Sequence, residues 1–357
     1  MIALNMATGE SPSLHVNRTV EHFQIPSEFI AAFIGVYAPL ILAILSGNSL
    51  VLLAVYKEKS LRKRCNFFIV SLSVADFLTG LIGVPTAILG RLLQNNTTCF
   101  TATRMVFFTA AFTFSAVSMF QLLAITIERY MAIMTPLVYH TAMTPRRYLY
   151  IIIAVWVAGA VVGAIPNFGS GAGTDVCAVD YEPSHAVKFF MLIFALGIPT
   201  VLASMGLMYF HIFRKARQQA NRIAALRRAL HRLEEHQTVQ EHRAQMKATK
   251  TTAIILGGFA ACWMPMALKF SLEVFLVMDS YTILILQTVL EFSAYANSAI
   301  NPVIYCYRNA EFRTAFCKIL APLKICSEKV NTVRVTPVEP FRNCSGSSLE
   351  NCAVDET

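Results

Sequence analysis

The sequence predicts an all-α membrane protein: a seven-transmembrane helix bundle followed by a short amphipathic eighth helix. Three observations carry this reading. Of the 357 residues, 55% are apolar and only 14% charged, with a mean hydropathy of +0.54, whereas a water-soluble domain carries about 25% charged residues to cover its core. The apolar residues gather into seven runs, each long enough for the roughly 20 residues that a helix needs to cross a hydrocarbon core about 30 Å thick. The basic residues punctuate those runs instead of clustering, so the formal charge of +9 argues for a membrane protein and not for nucleic-acid binding. An ordinary soluble enzyme and a wholly disordered chain are both excluded.

The runs fall at residues 29–56, 67–91, 103–134, 148–166, 187–212, 252–277 and 282–306. Three segments follow from them: an extracellular amino-terminal tail (1–28), the seven-transmembrane domain with its eighth helix (29–320) and a polar, disordered cytoplasmic tail (321–357). The tail before the first run lacks an apolar core with a small-residue cleavage site, so the first run is expected to serve as its own insertion signal. Lys and Arg resist translocation when close to a span. They crowd the segment after the first run (Lys57, Lys59, Arg62, Lys63, Arg64), follow the third (Arg146, Arg147) and fill the stretch from Arg214 to Lys250. The other loops carry Asp175, Asp180, Glu182 and Asp279. The amino terminus is therefore expected outside and the carboxyl terminus inside.

Glycosylation acceptors agree with this orientation: Asn17, Asn95 and Asn96 open Asn-x-Thr tripeptides on the outer side. Of the nine cysteines only Cys99 and Cys177 fall in the oxidising compartment, enough for one bridge. Cys317 or Cys326, close to the inner surface, can accept palmitate.

Polar residues in lipid are expensive, so each marks a partner, a wet cavity or a function. Asp76 lies in the middle of the second run with no cation beside it in its own helix. It reads either as a protonated carboxyl bonded to a neighbouring helix or as the centre of a cluster with Asn48, Ser118, Asn297, Ser298 and Asn301. Such a carboxylate among neutral oxygens suits a small hard monovalent cation such as sodium, or a proton switch. Stepping back from Arg129 by 11, 14 and 18 residues keeps one helical face and gives Ser118, Ser115 and Ala111. Glu128-Arg129-Tyr130 closes that helix, and its arginine reads either as a snorkelling residue or as the inner end of a polar seam. Pro265 and Pro302 interrupt the hydrogen-bond ladders of the sixth and seventh runs, with Phe259 and Trp263 four apart beside the first. Phe312, Phe316 and Leu320 share one face of the short final helix.

Together these residues resemble the rhodopsin-like (class A) G-protein-coupled receptors over residues 29–320. The motifs are Gly47-Asn48-Ser49, Leu72-Ser-Val-Ala-Asp76, Glu128-Arg129-Tyr130, Trp156, Pro199, Phe259-Ala-Ala-Cys262-Trp263-Met-Pro265 and Asn301-Pro302-Val-Ile-Tyr305 with Phe312. Within the family, the segments from Lys250 to Trp263 and from Tyr305 to Phe316 look most like adenosine receptors. Those receptors place an asparagine at the Phe270 position and a histidine at the Tyr295 position, so their nucleoside contacts are missing here. Ala111 stands where amine receptors carry an aspartate. The seventh run has no lysine for a retinal Schiff base, and Gln245 replaces the acid with which many relatives hold Arg129, which implies high basal activity.

The resemblance implies a plasma-membrane receptor, not an enzyme, that binds an extracellular small-molecule or lipid ligand and activates a heterotrimeric G protein, with arrestin and a receptor kinase as further partners. Ligand contacts would come from Phe112, Ser115, Trp263, Met266, Phe270, Glu291 and Tyr295, with Val179 and Asp180 as a lid. Glu291 is the one deep acid expected there. The switch towards the G protein would use Glu128, Arg129, Tyr130, Tyr209, Phe259, Pro265, Pro302 and Tyr305, with sodium at Asp76 holding the inactive state. No other cofactor is expected. The competing reading is an ion-coupled transporter or channel with Asp76 in its path, which would call for paired broken helices related by an internal repeat; no such repeat is visible.

Overall fold

The computed structural model describes residues 26–94, 101–165, 185–230, 236–276 and 279–323. Cys99, Cys177, Val179, Asp180, Asn17, Asn95, Asn96 and Cys326 lie outside the described residues, as do most of the two tails, and the side chain of Gln245 is likewise not described. Every regular element among the described residues is helical. They are α1 (Ser27–Lys57), α2 (Phe67–Leu78), α3 (Val84–Gln94), α4 (Thr101–Met134), α5 (Pro136–Ala142), α6 (Pro145–Ala164), α7 (His185–Leu230), α8 (His236–Phe275), α9 (Ser280–Arg308) and α10 (Ala310–Leu320). Seven spans are long and apolar enough to cross a membrane: Ser27–Lys57, Phe67–Leu89, Thr109–Met134, Pro145–Ala164, Met191–Gln219, Ala253–Phe275 and Tyr281–Arg308. Their outward faces are apolar, with Leu42 68% and Val303 66% exposed. Water would penalise such a surface, and lipid does not. The chain is a multi-pass membrane protein.

Local chemistry sets the ends. Thr144 caps α6 by accepting from Arg147 N with Pro145 at the first position, and Asp279 caps α9 by accepting from Thr282 N at 2.9 Å. The Thr282 hydrogen bonds hold the Asp279 carboxyl below its ordinary range. α1 starts at Ser27, directly after Pro26, so the last two residues assigned to the tail are helical. α7 and α8 run past their apolar segments, to Leu230 and from His236, because the basic stretch between them contains no Pro or Gly.

The second span departs from the unbroken helix expected over 67–91. A π-helical turn, Thr79–Gly83, separates α2 from α3. Pro85 follows it by two residues and has no N–H for the ladder, and the widened turn absorbs that loss. α10 lies beneath the bundle: Phe312 stacks on Tyr305 with centroids 5.7 Å apart, and Phe316 packs edge-on to Phe312. Leu320, expected on the same face, is half-buried. Two exposed pairs, Lys63–Glu311 at 2.6 Å and Lys318–Glu58 at 2.9 Å, tether it to the end of α1 and the turn after it. Each contributes at most about 1 kcal/mol.

α4 is the central pillar, packed against α2, α6, α7 and α8. Its approach to α6 depends on Gly159 and Gly163, a small-xxx-small pair. A Cβ on Gly163 would collide with the Thr113 hydroxyl and come within 2.7 Å of Thr109 O and 2.8 Å of Thr113 N. Backbone cannot yield as a side-chain tip does. Gly163→Ala is therefore expected to destabilise the purified protein by about 1–3 kcal/mol, read as a lowered melting midpoint. Gly257→Ala, which meets nothing within 4 Å, should leave the midpoint unchanged or raise it slightly.

Candidate functional site

The polar seam begins at Asp76, which is fully buried. Ser298 Oγ donates to Oδ1 and Asn301 Nδ2 to Oδ2, each at 2.8 Å, so the carboxylate of the second span is held by two donors from α9. The geometry of α9 follows from Pro302. Proline supplies no N–H to the carbonyl four residues earlier, which is Ser298 O, and Asn48 Nδ2 of α1 donates to that orphaned carbonyl at 3.0 Å. α1 comes close enough because residue 47 is glycine: a Cβ there would lie 3.0 Å from Pro302 Cγ. The motifs around Asn48, Asp76 and Pro302 are thus three parts of one contact among three helices. Asn48 Oδ1 and Ser118 Oγ are buried with no hydrogen-bond partner among the described residues.

Directly beside this contact lies a small cavity of about 10 Å³, room for a single water, lined by Thr79, Ser115, Ser118, Trp263, Tyr295 and Asn297, together with Phe114, Ala294 and Ser298. Ser115 and Ser118 of α4 meet Asn297 and Ser298 of α9 across it, as the turn spacing anticipates. Trp263 forms one wall and stacks on Phe259 at 5.7 Å and 19°. Phe112, Met266 and Phe270 are not among its lining residues. Phe194 of α7 joins Phe112 and Phe270 through edge-on contacts of 4.9 and 6.1 Å, and Met266 is buried in the same core. Tyr295 reaches the cavity from a second cluster, where its ring meets Tyr37 edge-on at 6.3 Å.

At the opposite end of α4, Glu128 is buried and its Oε2 pairs with Arg129 Nε at 3.1 Å. Its Oε1 accepts from Tyr139 at 2.6 Å and Tyr148 at 3.2 Å. Nothing in the triplet Glu128-Arg129-Tyr130 announces these tyrosines, one on the short helix α5 and the other in α6. Tyr130 packs with Tyr209 and Ile212 of α7, and Tyr305 is buried against Phe312. Burial first, and then the bond to the Glu128 carboxylate, pushes the Tyr139 hydroxyl up to about 12.

Glu291 is not the one deep acid. Glu273 of α8 is a second acid there, its side chain largely buried and paired with Lys269 at 2.8 Å, and Lys269 also donates to Gln287, whose amide donates to Glu291. Any cation approaching Glu291 therefore meets a resident ammonium nearby. The signal was present in the chain: Lys269 and Glu273 stand four apart inside an apolar run, where hydropathy averaging hides them. Among the described residues no three His, Cys, Asp or Glu side chains converge as a metal cluster.

Seven apolar spans around a buried polar seam, broken by prolines and closed by an acid–arginine pair, define a polytopic membrane protein of the receptor type. Residues 47–305 match the 7 transmembrane receptor (rhodopsin family) model, and the chain belongs to that family, one of receptors and not in general of enzymes. It is 32% identical over 297 residues to the adenosine receptor A2a of Canis lupus familiaris, covering 78% of this chain and 69% of that receptor. It is 30% identical over 314 residues to the adenosine receptor A2b of Gallus gallus (80% and 87%). The octopamine receptor beta-1R of Drosophila melanogaster is 29% identical over 327 residues, and there the match takes in 83% of this chain but only 61% of the relative's length.

Tyr139 gives the site a pH signature. A phenol ionises at an ordinary 10.0, and in the folded chain Tyr139 does so at about 12. Its contribution is complete below the unfolded value and lost as pH rises through the folded one. Thermal stability should therefore fall across that interval, and Tyr139→Phe should flatten the fall while lowering the melting midpoint at neutral pH. An unchanged alkaline slope in the variant would contradict the assignment.

Proposed function

We propose that this receptor sits in the plasma membrane with its amino terminus outside, binds an extracellular small-molecule or lipid ligand and activates a heterotrimeric G protein. The observation that carries the reading is the linkage of Asp76 to Ser298 and Asn301 at the level of a cavity walled by Trp263. A ligand that moves Trp263 changes the packing beside a contact joining three helices, of which α9 runs on to Tyr305, and beside α4, which lines the same cavity through Ser115 and Ser118 and runs on to the Glu128–Arg129 pair. Ligand and G protein each bind the active arrangement more tightly, so each raises the affinity of the other. Ser115, Trp263 and Tyr295 would form the floor of the ligand site. Phe112, Met266, Phe270 and Glu291 would form its walls and Val179 and Asp180 its lid.

The relatives are named for adenosine and octopamine. That likeness supports an adenosine-like subtype, whereas Phe270, Tyr295 and Ala111 replace the side chains by which such ligands are expected to be held, which argues against adenosine itself and favours an orphan subtype. The aromatic series Phe112, Phe194 and Phe270 favours a ligand with an apolar body. Sodium would be held by Asp76 with Ser298, Asn301 and Asn297, and by Asn48 Oδ1 and Ser118 Oγ, the two oxygens with lone pairs to spare. Bound there, the ion supplies a positive charge that stabilises the inactive packing. Arrestin and a receptor kinase would act at the inner face, and palmitate on Cys317 or Cys326 would anchor α10.

Reconstituted receptor should accelerate nucleotide exchange on a heterotrimeric G protein above empty vesicles, without added ligand, since Gln245 offers Arg129 no acid. Solute flux or current with no exchange on any heterotrimer would overturn the reading. Sodium should weaken agonist affinity about five- to tenfold, and Asp76→Asn should abolish that dependence. Its persistence in the variant would remove the ion site.

A further inference from the structure

Four side chains in the outer halves of α8 and α9 form a polar relay that the switch does not use. Lys269 Nζ pairs with Glu273 Oε1 at 2.8 Å and donates to Gln287 Oε1, and Gln287 Nε2 donates to Glu291 Oε1. The relay is largely buried: the side chains of Lys269 and Glu273 are 6% and 8% exposed and Glu291 is buried, while Gln287 is half-buried. Two acids are thus linked to one ammonium, Glu273 directly and Glu291 through Gln287. Glu273 Oε2 is buried with no hydrogen-bond partner among the described residues. A buried carboxyl oxygen left without a donor is costly, and packing alone gives no reason to keep it.

The surroundings point to a cation. The Lys269 ammonium sits 5.3 Å from the centroid of the Phe270 ring, a face that attracts positive charge. Behind that ring runs the edge-on series through Phe194 to Phe112, an apolar bed for whatever the cation is attached to. Glu273 lies two residues from the end of α8, so the orphaned oxygen is near the outer mouth. Lysine is suited to vacate such a place, because its charge rides on a flexible four-carbon stem.

We propose that Glu273, Glu291 and the face of Phe270 form a recognition subsite for the protonated amine of a ligand, which Lys269 fills from within while the receptor is empty. The proposal rests on the reading of the chain as a ligand-binding receptor and gives that ligand a class: an organic amine with an apolar body. The anchor lies between the sixth and seventh spans, not on the third, where Ala111 stands. Lys269 is then an internal competitor. Its removal strengthens binding of an amine, whereas removal of Glu273 weakens it. A salt bridge that merely clamps the two helices gives no such opposition.

The experiment uses the full chain in lipid nanodiscs with two probes of nearly equal shape, the cation phenethylamine and the neutral 2-phenylethanol, read by melting midpoint. Phenethylamine is expected to raise the midpoint at millimolar concentration and 2-phenylethanol is not. Glu273→Gln should weaken the apparent affinity for phenethylamine by about tenfold or more. Lys269→Met should lower the midpoint in the absence of amine, recover it with phenethylamine and bind that probe about tenfold more tightly. Equal shifts by the two probes, no shift with phenethylamine, or weakening in both variants would overturn the proposal. If Lys269→Met does not fold, Lys269→Gln takes its place, and the probe pair on wild type and Glu273→Gln still decides. Basal nucleotide exchange in the wild type, measured alongside, separates failure of this subsite from failure of the receptor reading.

Discussion

A carboxylate with no exposure in the middle of a lipid-embedded bundle must be given its donors by other helices. Asp76 takes them from Ser298 and Asn301, and much of the molecule follows from that. The donors stand on the turn that Pro302 disrupts, so the helix that satisfies Asp76 is itself left with an unsatisfied carbonyl. Asn48 answers that carbonyl, and Asn48 reaches it because Gly47 has no side chain to keep α1 away from Pro302. Each polar or small residue in this series corrects a defect created by the next. Removing one partner leaves a buried group unpaired, at a cost of about 1–3 kcal/mol and more for a charge, which is why three helices here behave as one body.

The spans, the polar seam and the amphipathic tail helix were legible because each has a periodic or compositional signal: apolar length, proline and asparagine in a hydrophobic run, aromatics four apart. The contact between Asn48 and Ser298 O was legible only in part. Proline foretells a free carbonyl, but not which side chain on another helix will meet it. The π-turn at Thr79–Gly83 was hidden because hydropathy does not distinguish a widened turn from a regular one, although Pro85 is its chemical cause. Tyr139 was hidden for a different reason: it lies on a seven-residue helix in a loop, and its partner Glu128 is eleven residues back on another element.

Lys269 and Glu273 were concealed by averaging. Two opposite charges four apart inside a long apolar run scarcely alter a window of eighteen or so residues, yet in lipid they are among the most informative side chains in the chain. A lysine and a glutamate close enough to pair can be carried through a bilayer at modest cost, since each neutralises the other. Glu291 breaks that symmetry. A second acid on the facing helix is joined to the pair through a glutamine amide. The seam around Asp76 resembles this group, because both places combine carboxylate oxygen with atoms that lack donors. They differ in what surrounds them. Small oxygen-bearing side chains beside Asp76 suit a small ion, and an aromatic bed beside Glu273 suits an organic one.

The Glu128–Arg129 pair shows how such a structure can be both held and released. Breaking a buried ion pair by withdrawing one partner costs about 3–5 kcal/mol, chiefly because the other charge is left uncompensated. Here the group left behind would be the Glu128 carboxylate, whose Oε1 accepts from both Tyr139 and Tyr148. The two tyrosines therefore lower the barrier to Arg129 leaving without weakening the pair while it is formed.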